Sequence, residues 1–126
     1  MQAFKTFTVG ETEYKLRLTT SFAIELENKL GCGVLEGLGR ISELRVLTLY
    51  LWACLQPLNS GVTQSTVNGI YDTYIDNGGS LEDAIDVIMD VMTVSGFMKA
   101  EKLKQAKEIS AIQETIMTEK LEQLKN

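Results

Sequence analysis

Apolar and polar positions alternate with period two at the start of the chain and settle into helical spacing from Phe22 onward. Phe4-Lys5-Thr6-Phe7-Thr8-Val9 and Tyr14-Lys15-Leu16-Arg17-Leu18 each read as a half-buried strand. Gly10-Glu11-Thr12-Glu13 between them reads as a short polar hairpin loop, so the pair is expected to lie antiparallel. A lone hairpin is marginal in water, so its dry face is expected to cover helices. Thr19, Thr20 and Ser21 offer helix caps, and Phe22, Ala23, Leu26 and Leu30 then share one face, with Glu25, Asn28 and Lys29 turned away. Gly31 supplies a left-handed stop, and Val34–Leu38 reads as a short helical turn closed by Gly39.

The next helix is expected over Glu43–Gln56, capped by Ser42 and ended by Pro57. Its apolar residues, from Leu44 through Trp52 to Leu55, surround the axis almost completely, the pattern of a buried central helix. Thr63 or Ser65 starts a further helix reaching Asn77, with Val67, Ile70, Tyr71 and Tyr74 on one face and Gly78-Gly79 as its stop. Ser80 with Asp83 forms a capping-box-like start for the last helix of the body. There Leu81, Ala84, Ile85, Ile88, Val91 and Met92 make the core stripe, with Glu82, Asp83, Asp86 and Asp90 opposite. The fold class is therefore α+β, mainly α: an N-terminal antiparallel β-hairpin packed on a small helical bundle.

After a hinge-like Ser95-Gly96 the pattern changes. Residues 97–126 contain neither glycine nor proline, and their lysines and glutamates alternate, which predicts a long C-terminal helix. The chain divides accordingly into a body, 1–96, and an extension, 97–126. The extension has two apolar faces: Leu103, Ala106, Met117, Leu121 and Leu124 share one, while Ile109, Ile112 and Ile116 lie well around from it. A heptad seam is absent, so the two faces imply either a bend or two different contacts. Folding back on the body and reaching out to a partner are both compatible with this pattern.

Composition narrows the chemistry. The 126 residues fit one domain, and 44% apolar content suffices for a core. A formal charge of −5 argues against nonspecific binding to nucleic acid or to an anionic membrane. A helix–turn–helix reading of Glu43–Asn77 fails because no Lys or Arg lies between Arg45 and Lys99 to anchor phosphates. The chain has no histidine, hence no use of the commonest general base and metal ligand. Asp83, Asp86 and Asp90 share a helix face, but Ca²⁺ needs ligands converging from a loop or several elements, so a solvated face is expected. Gly31-Cys32-Gly33 lacks the GK[ST] of a phosphate loop. Cys32 and Cys54 form no CxxC pair and read as free thiols of a reducing compartment, with Cys32 an inert loop thiol. No signal peptide or membrane span is apparent, which points to a soluble cytoplasmic protein without cofactor, metal or catalytic residues.

One stretch carries a family likeness. A two-stranded start followed by strand-TT-xxA-xxLE-xxLG and a short Leu-Glu-Gly-Leu-Gly turn resembles the tail assembly chaperones of long-tailed, siphovirus-type phages and prophages of Gram-positive bacteria. The matching residues are Tyr14, Leu16, Leu18, Thr19, Thr20, Ala23, Leu26, Glu27, Leu30, Gly31, Leu35 and Leu38. The resemblance implies a non-enzymatic protein that coats the tape measure protein and keeps it soluble until tail tube subunits polymerise around it. It also implies a longer frameshifted product that contacts the tail tube protein. The implied location is the cytoplasm of the infected or lysogenic bacterium, not the mature virion. Phe97, Met98, Leu103, Ile109, Ile112, Ile116, Met117, Leu121 and Leu124 are the candidate partner contacts, with self-association into a homo-oligomer as a further use of them. The alternative is a tail or head-completion subunit forming a permanent homo-oligomeric ring.

Overall fold

A computed structural model describes residues 3–100. Strands β1 (Lys5–Val9) and β2 (Thr12–Leu16) form an antiparallel hairpin, followed by α1 (Thr20–Leu30), α2 (Val34–Gly37), a 3₁₀ turn (Leu38–Arg40), α3 (Leu44–Leu55), α4 (Gln64–Asp76) and α5 (Leu81–Val94). The α+β, mainly α architecture is as expected, with the hairpin laid on a helical bundle. The extension beyond Ala100, including the long C-terminal helix expected there, lies outside the described residues.

The hairpin is tighter than its polar connection implied. Val9 pairs with Thr12 and Thr8 with Glu13, so the loop is only Gly10-Glu11. Gly10 takes φ 61°, the left-handed value a two-residue loop needs at its first position. Thr12 and Glu13 therefore belong to β2, and the strand ends at Leu16 rather than Leu18. Beyond it the Arg17 amide donates to the Cys54 carbonyl, 3.0 Å away, tying the chain to the end of α3. Phe7, Val9, Leu16 and Leu18 are buried, so the dry face of the hairpin does cover helices.

Helix starts divide into two kinds. Thr63 and Ser80 cap α4 and α5 by accepting from the amides of Thr66 and Asp83, both at 3.1 Å. Thr19 occupies the start of α1 with no side-chain cap bond. Ser42 does not cap α3: Glu43 takes that position, and its carboxylate is held instead by the Arg40 guanidinium at 2.8 and 3.1 Å.

Both α4 and α5 end in Schellman motifs, where the two amides after the cap reach back to otherwise unpaired carbonyls. At α5, Gly96 N–H donates to Thr93 O and Phe97 N–H to Met92 O. The Ser95 hydroxyl also accepts from the Leu18 amide at 3.0 Å. Ser95-Gly96 is thus a hydrogen-bonded stop fastened to the hairpin side of the body. Phe97–Lys99 are not helical, contrary to a helix starting at Phe97.

α3 runs through the centre. Val46, Leu47, Tyr50, Leu51, Ala53, Cys54 and Leu55 are buried against α1, α4, α5 and β2. The all-round apolar pattern overstates its burial, however: Leu44 keeps 55% of its surface exposed, and Leu49 and Trp52 are half-buried.

Candidate functional site

The α1–α2–α3 joint is closed by one polar knot. Gly33, at the start of α2, has no side chain to receive the first free amide of that helix. The Glu27 carboxylate from α1 does so, accepting from Val34 N–H at 2.9 Å. The buried Tyr50 hydroxyl of α3 donates to the Val34 carbonyl. Gly37 lies beneath the same hydroxyl: a β-carbon there would stand 2.5 Å from the Tyr50 oxygen and 3.0 Å from Leu30 Cδ1. Glu27 thus has a structural hydrogen bond, and Gly37 is required by close approach rather than by its backbone angle. Burial, then the neighbouring Cys32, Cys54 and Glu27, raises the Tyr50 pKa, so the phenol stays protonated as a donor.

The cysteines are both free. Cys54 is fully buried, and burial pushes its thiol up to about 12. Cys32 is half-buried beside Gly37.

On the other side of α3 the surface opens. A groove of about 430 Å³ runs between α3 and α4, with Leu44, Leu49 and Tyr71 supplying apolar surface. Arg45 and Asp72 also line it, one on each helix, and the Gln64 amide bridges the walls by donating to Thr48 O at 3.1 Å. A second, more polar cleft of about 680 Å³ lies between the hairpin loop and the end of α4, bordered by Gly10, Glu11, Tyr74 and Asn77. Elsewhere Lys29 sits 4.5 Å above the Trp52 ring, and Phe22 meets that ring edge-on. Ile24 and Leu35 add exposed apolar side chains, each with 53% of its surface open.

Among the described residues no group of His, Cys, Asp and Glu is placed to hold a metal ion. Asp90, one of the three aligned carboxylates, instead meets Lys5 of β1 at 3.2 Å. No described helix is long and apolar enough to cross a membrane.

Of the partner contacts expected from the sequence, only Phe97 and Met98 fall within the described residues. Both are half-buried and pack against the core, where Phe97 completes the α5 stop. Leu103, Ile109, Ile112, Ile116, Met117, Leu121 and Leu124 lie outside the described residues. The α3–α4 groove was missed because helical periodicity reports which residues are apolar, not whether a neighbour covers them. Comparison with protein-family models, with curated proteins and with solved structures finds no match to this chain.

Proposed function

We propose that this protein is a tail assembly chaperone of a long-tailed phage or prophage, binding the tape measure protein and keeping it soluble during tail assembly. The observation that carries the reading is the residue pattern Tyr14–Leu38. Within that pattern Leu16, Leu18, Ala23 and Leu26 are core residues and Glu27 fastens α2 to α1, while Leu35 is exposed. The body adds apolar surface of the kind that receives amphipathic helices: the α3–α4 groove together with exposed Ile24 and Leu35. The principal contact is assigned to the extension, through Leu103, Ile109, Ile112, Ile116, Met117, Leu121 and Leu124, with Phe97 and Met98 anchoring its root. Methionines there suit a client of varied shape.

The test is co-expression with the tape measure protein encoded beside it. The full chain should keep that protein in the soluble fraction, and a chain lacking residues 103–126 should not. A client that stays soluble with the truncated chain removes the assignment to the extension, and one that precipitates with both removes the chaperone reading. Mass spectrometry of purified virions separates the alternative ring subunit, which would be present in the particle where a chaperone is absent.

A further inference from the structure

The α3–α4 groove pairs apolar surface with one charge of opposite sign on each wall. Leu44, Leu49 and Tyr71 supply the apolar part, Arg45 stands on α3 and Asp72 on α4. Among the described residues the Arg45 guanidinium has one ion pair, with Glu43 at 3.8 Å, and that carboxylate is already held by Arg40. The groove therefore calls for an apolar stripe flanked by a carboxylate on one side and a cation on the other.

The sequence after Ala100 contains such a stripe. On an ideal helix, at ~100° per residue, Ile109, Ile112 and Ile116 fall together. Glu119 then lies about 50° to one side of the stripe's centre and Lys120 about 50° to the other. The second apolar face, with Leu103, Ala106, Met117, Leu121 and Leu124, is centred about 115° away. Two faces on one segment are explained if each has its own occupant.

We infer that the Ile109–Ile116 stripe of the chain's own C-terminal segment seats in the α3–α4 groove, with Glu119 toward Arg45 and Lys120 toward Asp72. The reach is sufficient. The end of α5 is fastened to Leu18, beside the C-terminal end of α3, where Arg17 bonds Cys54. From Cys54 back to Leu44 is about 15 Å along the helix axis. Residues 101–108 span about 12 Å as helix and up to about 27 Å extended. A second copy of the chain is not needed to fill the groove. If the chaperone reading also holds, on which this consequence rests, it narrows the client contact: the groove is filled by the chain itself, Ile109, Ile112 and Ile116 leave the contact set, and the seated segment presents Leu103, Met117, Leu121 and Leu124 outward to the client.

The test uses the full chain with Cys32→Ser, leaving Cys54 buried. Leu44→Cys is combined either with Ile112→Cys, on the stripe, or with Ser110→Cys, on the far side of the same turn. A disulfide forms readily only where the two Cα atoms approach within about 7 Å. The Ile112 pair should close to a cross-linked monomer at least tenfold faster than the Ser110 pair, read on non-reducing gels over time. Asp72→Lys should slow that closure, and adding Lys120→Asp should restore it. Equal rates for the two pairs, a cross-linked dimer as the main product, or no response to the charge exchange would each overturn the inference. The readout involves no client, so its failure is distinct from a failure of the solubilisation assay.

Discussion

On the α1–α2 side of α3, Tyr50 is fully buried and its hydroxyl presses on Gly37, whereas on the α4 side Leu44 keeps 55% of its surface exposed above an open groove. The two residues are less than two turns apart on one helix. The difference separates two roles that apolar sequence alone does not distinguish. The closed side should tolerate neither added nor removed volume, because its packing resembles a crystal. The open side should tolerate substitution, and it leaves apolar surface for an occupant.

The largest effect belongs to the closed side. Leu26→Ala removes a side chain with no exposed surface between α1 and the core, and should cost about 2–5 kcal/mol in urea denaturation. A cost below about 1 kcal/mol would show that the joint relaxes, and the contrast with the groove would weaken. Next is Gly37→Ala, whose methyl would stand 2.5 Å from the Tyr50 oxygen. Overpacking of this kind costs about 1–3 kcal/mol. Tyr50→Phe alone should cost about 1–3 kcal/mol, because it leaves the buried Val34 carbonyl without its donor. The two should not add: with the hydroxyl gone, the alanine meets chiefly the flexible end of Leu30. A double mutant as unstable as the sum of the singles would refute the contact as the reason for Gly37.

Much of the closed side was legible in the sequence. Helical spacing identifies Ala23 and Leu26 as core, and Gly31 and Gly78 as helix stops, because local chemistry decides these features; Ser95-Gly96 reads as a hinge and is instead a hydrogen-bonded stop. Thr63 and Ser80 behave as caps for the same reason. Ser42 does not: the helix begins one residue later, with Glu43 in the capping position and its carboxylate on Arg40 rather than on the helix amides. The loop length was misjudged because Thr12 and Glu13 are polar yet paired; only the positive φ of Gly10 closes the turn in two residues. Gly37 reads as one more residue of a short helical turn until Tyr50 is brought over it from the next helix. The groove is the least legible feature, because it depends on how α4 crosses α3 and not on either helix alone.

The closed side also predicts a pH response. Burial holds the Cys54 thiol protonated up to about 12, against an ordinary value of 9.0. Between these values the unfolded chain releases a proton that the folded chain keeps, so stability falls as pH rises. The loss should begin near pH 9, reach on the order of 1 kcal/mol by pH 10 and continue toward pH 12. Tyr50, raised by burial as well, acts in the same direction at the alkaline end. Urea midpoints at pH 8, 9 and 10 should therefore decline, and Cys54→Ala should flatten the decline between pH 9 and 10 whatever its effect at pH 8. An unchanged slope would mean the thiol reaches water, and that this part of α3 is less closed than its burial implies.

The smallest effect concerns the open side and is the most informative about its occupant. With the Ile109–Ile116 stripe seated, Leu44 loses part of its remaining exposure, and Leu44→Ser should cost somewhat under about 1 kcal/mol in the full chain. In a chain already carrying Ile112→Ser, the same substitution should fall within about 0.5 kcal/mol of neutral, the usual range for an exposed position. The interaction is the difference between these two values, and it vanishes if the wall is bare. Leu35 supplies the control, because it is about as exposed as Leu44 but does not line the groove. Leu35→Ser should be indifferent to Ile112→Ser; if it responds as Leu44 does, the coupling is a general loss of stability and not contact across the α3–α4 groove.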